Sequence, residues 1–201
     1  MEDKIKVIKD YIPDAAIPLL INYLKYWEFN LVIVKNRNTK HGDFRILSEG
    51  VHQISVNNSA NPYRFLITII HEIAHLVAFK DFGYFIKPHG KEWKSCYQKL
   101  ITPFLKPEIF PQKLLDLLVH HFKNPKASTD SDFNLVIELN KFDPETEKNY
   151  IFELDLGTIF EIHNSRKFVL GSMRKKRYEC KEILTQRKYL FSPHAQVKKV
   201  K

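Results

Sequence analysis

Ile69-Ile70-His71-Glu72-Ile73-Ala74-His75-Leu76-Val77 carries an H-E-x-x-H pattern inside an otherwise apolar run. Four residues make slightly more than one helical turn, so His71 and His75 stand one above the other on the same face of a helix. That spacing lets two imidazole nitrogens reach one Zn²⁺ at about 2.0–2.1 Å each. Glu72 lies a quarter-turn round the helix from the first histidine. It is placed to reach a water beside the ion rather than the ion itself, as a general base must be. A lone histidine on a helix is ordinarily a capping or packing residue. Here Phe65, Leu66, Ile69, Ile70, Ile73, Leu76 and Val77 recur at helical spacing and bury the helix. Two histidines and a glutamate in such a place are costly to desolvate without a partner, and a metal is the simplest one.

Working outward, Asn57-Asn58-Ser59-Ala60-Asn61-Pro62 opens this helix, with Asn61 as N-cap and Pro62 at its first position. Its end is expected near Phe79, before Gly83. Upstream, helices are expected over Lys4–Tyr11 and Asp14–Tyr26, then strands at Phe29–Lys35, Asp43–Leu47 and His52–Val56. Asn36, Asn38 and Gly42 punctuate the turns between strands. Downstream, Tyr84–Pro88 forms a loop, a helix runs to about Thr102, and another spans Pro111–Phe122. Lys123–Thr129 is a linker, with Asn124-Pro125 at its head. Ser131 suits the cap of a helix over Asp132–Asn140, although Leu135-Val136-Ile137 also suits a strand. Beyond Asp143-Pro144 the pattern is β: Tyr150–Leu154, Thr158–Ile162, Lys167–Leu170, Arg177–Leu184 and Lys188–Phe191.

At 201 residues, 44% hydrophobic and 13% aromatic, the chain suits one sizeable globular domain, or one domain with a small appendage. No apolar run approaches the roughly 20 residues that cross a bilayer, and Met1-Glu2-Asp3-Lys4 does not open a signal peptide. Cys96 and Cys180 make neither a disulfide framework nor a C-x-x-C pair. These features predict a cytoplasmic protein with no membrane partner, taken as a monomer. The net charge of +9 is uneven. Residues 1–125 hold 17 basic and 12 acidic side chains, residues 126–160 hold 3 and 8, and residues 161–201 hold 12 and 3. An anionic partner for the last segment follows.

A hydrolytic zinc site needs a third protein ligand and one open position. Phe79, Lys80 and Asp81 exclude the metzincin extension. His89, Glu92, His120 and His121 remain, and spacing alone leaves them open. His89 precedes a glycine at the mouth of a helix, Glu92 is equally well a first-turn dipole residue, and His120 and His121 close an amphipathic helix. The stretch from Leu31 to Leu100 resembles the SprT family, whose eukaryotic relatives include Spartan. The resemblance rests on His52-Gln53-Ile54-Ser55-Val56-Asn57, the H-E-x-x-H helix, and His89-Gly90-Lys91-Glu92-Trp93 (H-G-x-x-W). It implies that His89 is the third ligand of one catalytic Zn²⁺. It implies a small zincin-like metalloprotease domain of helices and a short three-stranded sheet. For Spartan-like members it implies proteolysis of proteins crosslinked to DNA. Many SprT-like proteins add a zinc ribbon with paired cysteines. With Cys180 alone in the tail, that ribbon is absent.

The expected architecture is therefore α+β, a SprT-like protease domain over residues 1–125 and a basic, β-rich module over 126–201 without a zinc ribbon. In that module Arg174, Lys175, Lys176, Arg177, Lys181, Arg187 and Lys188 are candidate nucleic-acid contacts, with nearby aromatics available to stack on bases. The plainer reading of the same residues is the lysine-rich solvent face of a small sheet. The function expected is zinc-dependent hydrolysis of peptide bonds in a protein or peptide substrate, with DNA a partner through the basic tail. The rival readings are a nucleic-acid-binding adaptor with a structural metal, and a metal-dependent hydrolase of smaller substrates. No residue stands out for the oxyanion; Tyr63, Arg64 and Tyr84 are merely near in sequence.

Overall fold

The computed structural model describes residues 7–37, 40–48, 50–144 and 148–200. The chain divides into two compact units, residues 1–144 and 145–201. The helix expected over Lys4–Tyr11 begins outside the described residues.

In the first unit, a 3-10 turn at Asp14–Ala16 leads into helix α1 (Ile17–Tyr26), which buries Leu20 and Leu24. Strands β1 (Asn30–Val34), β2 (Gly42–Ser48) and β3 (Val51–Asn57) form a sheet of order β1-β3-β2. β1 runs parallel to β3, Leu31 opposite Ile54, while β2 runs antiparallel to it, Phe44 opposite Ile54. β3, paired on both sides, is the buried strand, and β2 is left as an edge. Gly50, at φ +73°, turns the chain between β2 and β3 in open space.

Helix α2 (Pro62–Phe82) packs against β2 and β3 and carries the H-E-x-x-H residues. Its cap is as the sequence indicates: the Asn61 side chain accepts from the Arg64 N–H at 3.1 Å. It continues past Phe79 because Lys80, Asp81 and Phe82 contain no breaker. It stops at Gly83, whose φ of +77° only glycine adopts without strain. Helices α3 (Lys91–Ile101), α4 (Gln112–Phe122) and α5 (Phe133–Asn140) complete this unit. α2 and α3 pack along their lengths, and Trp93 and Tyr97 of α3 are among the largest fully buried side chains.

Residues 126–144, which the sequence reading places in the C-terminal module beyond a linker at Lys123–Thr129, belong with the first unit. Leu135 and Leu139 are part of its core, an apolar requirement that outweighs the linker-like composition before them. The segment is helical, and its cap is Asp132, not Ser131. Asp132 accepts from the Leu135 N–H at 3.4 Å, while the Ser131 hydroxyl donates back to the Ser128 carbonyl at 2.7 Å.

The second unit is an antiparallel sheet of order β4-β9-β5-β6-β7-β8. Its strands are β4 (Asn149–Tyr150), β5 (Ile159–Glu161), β6 (Lys167–Arg174), β7 (Arg177–Glu182), β8 (Lys188–Phe191) and β9 (Gln196–Lys199). Ile151, Phe160, Phe168, Leu170, Cys180 and Val197 fill its core. The strand expected over Tyr150–Leu154 is two residues of β4 followed by a 3-10 turn. β9 has no counterpart in the sequence reading. With Val197 its one buried residue, it carries little local signal and forms because β4 and β5 offer it partners. Among the described residues no helix is long and apolar enough to cross a membrane.

Candidate metal centre

His71 and His75 project from one face of α2, their Nε2 atoms 3.1 Å apart. His89, from the loop before α3, brings its Nε2 to 3.1 Å from that of His75 and 3.3 Å from that of His71. Three donors at about 2.0–2.1 Å from a tetrahedral ion stand about 3.3 Å from one another, so the spacing fits zinc. The chemistry of the donors fits as well. A neutral imidazole has one N–H and one lone pair, so three Nε2 atoms facing a common point cannot all satisfy each other. Burial, then His75, His89 and His41 in turn, push His71 down to about 2. Burial and His89 push His75 down to about 4, and burial lowers His89. The rings are thus held neutral, the form that binds metal. No fourth histidine, cysteine or carboxylate joins this cluster among the described residues.

The H-G-x-x-W residues explain how the third ring is held. His89 sits at φ +59°, in the left-handed region. Gly90 follows because a Cβ there would lie 2.9 Å from the Lys87 carbonyl oxygen, to which the Gly90 N–H donates at 2.8 Å. One turn into α3, the fully buried Trp93 ring lies 4.7 Å from the centroids of His71 and His89 and 5.3 Å from that of His75. Tyr97, one turn further, packs on His71 and donates to the Ile67 carbonyl at 3.2 Å.

Glu72 is 6% exposed. Its carboxylate accepts from the Phe44 N–H of β2. Burial, then Asp43, push it up to about 8, against the opposing pull of Arg37, Lys40 and that N–H. Glu72 and the three histidines line a cleft of about 490 Å³ together with Arg37, Lys40, His41 and Gly42. Asp43, Phe44, Ile67, Thr68 and Tyr97 line it too, and a further wall is Ala127, Ser128, Thr129 and Asp130. That wall joins the last three residues of the stretch read from sequence as a linker to Asp130. It is tied down by Asp130, which meets His41 Nε2 at 2.7 Å and the Arg64 guanidinium at 3.4 Å. Arg64 also donates to Asn140 at 2.8 Å and to Asp143 at 3.3 Å.

The other sequence candidates fall away from the cleft. Glu92 lies in the first turn of α3, His120 is exposed on α4, and the buried His121 meets Asp132 at 3.3 Å. Tyr63 packs on Phe110 and Phe142, Arg64 serves the carboxylates just named, and Tyr84 is exposed beside Phe79. Gly42, Arg37 and Asp130 are cleft residues that sequence reasoning passed over. Of the three, Gly42 alone carries a sequence signal, and that signal reads as turn punctuation.

In the second unit, Arg174 and Arg177 face each other across the two-residue turn Lys175-Lys176, and all seven basic candidates are exposed. Arg174 and Lys188 both bind Glu179, at 3.0 and 2.8 Å. Lys175, Lys176, Arg177, Lys181 and Arg187 make no ion pair among the described residues. The aromatics expected to stack on bases are turned the other way: Tyr178, Tyr189 and Phe191 pack against the core, as the two-residue alternation of β7 and β8 requires.

Residues 30–109 match the SprT-like family. The SprT-like segment begins at β1, contains α2 and α3 with all three histidines, and ends before α4. The cleft wall at Ala127–Asp130 lies outside it. No solved structure matches the chain.

Proposed function

We propose that the first unit is a small zincin-like peptidase that hydrolyses peptide bonds with one zinc ion held by His71, His75 and His89. The observation that carries this reading is the convergence of three Nε2 atoms at 3.1–3.3 Å beside a buried carboxylate, in a cleft open to substrate. The SprT-like match supports the same class of chemistry. A bound zinc ion supplies Lewis-acid polarisation of the scissile carbonyl and makes a neighbouring water more acidic. Glu72 takes that water's proton on its carboxylate and returns it to the departing amine nitrogen as the C–N bond breaks. Trp93 fixes the three rings by packing, so the donor set is organised before substrate arrives. The cleft between β2 and the Ala127–Asp130 wall suits an unfolded or loop segment of polypeptide.

The second unit supports a partner of opposite charge. Lys175, Lys176, Arg177, Lys181 and Arg187, with Arg174 and Lys188 at their margin, form the exposed basic set. We assign to it contact with DNA phosphates, which would direct the peptidase to DNA-associated proteins.

Glu72→Ala is the test. Zinc content and unfolding should match wild type, while cleavage of an unfolded protein, and of a DNA-bound protein with DNA present, disappears. Equal cleavage by both proteins rejects the assignment. A wild-type chain that binds zinc and DNA in a salt-dependent way yet cleaves nothing would instead be the adaptor.

A further inference from the structure

We infer that Gly42 is a positioning residue for Glu72, a reading that rests on the peptidase assignment and adds to it the device that aims the general base. A Cβ built on Gly42 would lie 2.5 Å from Glu72 Oε1, 2.7 Å from Glu72 Cγ and 2.8 Å from Thr68 Cγ2. The backbone of Gly42 is not in the positive-φ region, so any residue fits its conformation. What glycine supplies is room. Gly50, at φ +73° with nothing near its missing Cβ, is glycine for the opposite reason.

The carboxylate of Glu72 lies against bare backbone of the β2 edge. Gly42 leaves the space, and two residues on the Phe44 N–H donates to Glu72. The Asp43 side chain between them is engaged elsewhere, by Lys40 at 2.8 Å and by Arg45. β2 therefore offers Glu72 a cavity and a single donor, which together select one placement of the carboxylate. A methyl group at position 42 meets side-chain atoms rather than main chain, and both Glu72, from its Cγ outward, and the stiffer Thr68 must give way to it. The fold survives and the aim of Glu72 does not. A misplacement on the order of 1 Å in a reacting group costs about 100-fold in rate.

The experiment uses the full-length, zinc-loaded protein and Gly42→Ala. Zinc content and the unfolding midpoint are expected at wild-type values. Amide hydrogen exchange at Phe44 is expected to rise to the rate seen in Glu72→Ala, because the N–H has lost its acceptor. kcat on an unfolded protein substrate should fall about 100-fold with KM unchanged. Thr68→Ser removes Cγ2 and relieves only the third contact, so Gly42→Ala/Thr68→Ser should stay as slow as Gly42→Ala. Wild-type protection of the Phe44 amide in Gly42→Ala would overturn the inference, as would recovery of kcat in the double variant. If wild type itself cleaves nothing, the peptidase reading fails alone, and exchange at Phe44 still decides whether Gly42 places Glu72.

Discussion

Asn61 offers the sharpest test of how the H-E-x-x-H helix is anchored. As a plain N-cap its removal costs about 1 kcal/mol. The fully buried side chain does more. Its Oδ1 accepts from the Arg64 N–H at 3.1 Å, while its Nδ2 donates to the Leu139 carbonyl at 2.7 Å and to the Asp143 carboxylate at 2.7 Å. Asn61→Ala therefore removes one donor from the Leu139 carbonyl, which keeps the Phe142 N–H at 3.0 Å, and one from the Asp143 carboxylate, which keeps Arg64. At about 1 kcal/mol for each hydrogen bond lost beside the cap, the total is about 3 kcal/mol. Asn61→Asp separates the two roles. It keeps an equally good cap, removes both donated bonds, and sets a carboxylate against Asp143. It is expected to cost at least as much as Asn61→Ala. Both tryptophans, Trp27 and Trp93, lie in the first unit, so their fluorescence in a urea titration reports that unit by itself. A loss near 1 kcal/mol for Asn61→Ala, with Asn61→Asp close to wild type, would reduce Asn61 to a cap and refute the reasoning.

Burial holds the His121 imidazole below its ordinary value, with Asp132 opposing, so the native state stays neutral where the unfolded chain takes up a proton. Its contribution is complete above about pH 6.5 and declines as pH falls below it; His121→Gln should make the acid loss of stability shallower by at most ~1.4 kcal/mol per pH unit. Parallel pH profiles for the two proteins, measured by the same fluorescence, would show that His121 is not the group. Reversing Lys175, Lys176, Arg177 and Lys181 to Glu should weaken DNA binding and flatten its salt dependence by about 0.9 in log–log slope per phosphate contact removed. Arg174→Ala and Lys188→Ala, which free Glu179 from its partners, should change that slope less. Equal slopes in gel-shift titrations would return the basic face to the role of a solvated sheet surface.

The H-E-x-x-H helix was legible because its information is local. His71, Glu72 and His75 fall within one turn, Asn61 and Pro62 mark its start, and Gly83 its stop. His89 needed the H-G-x-x-W resemblance, since what brings its ring back to α2 is a left-handed residue and a glycine packed on a carbonyl, neither visible in periodicity. Gly42 and Asp130 were missed for a related reason. Each matters through a side chain distant in sequence, Glu72 for the one and His41 and Arg64 for the other. The boundary at 125 rests on the linker-like run headed by Asn124-Pro125, whereas Leu135 and Leu139 follow the core. Two-residue alternation already sets Tyr178 with Cys180 on the face opposite Arg177 and Lys181; what the sheet adds is that this face is the covered one.

The most direct test is the zinc content of the purified full-length chain by elemental analysis, set beside that of His89→Ala. One zinc ion per chain, retained through dialysis in wild type and lost from His89→Ala, is the expected result. A wild-type chain without stoichiometric metal, or a His89→Ala chain that holds zinc as firmly as wild type, would contradict the three-histidine centre.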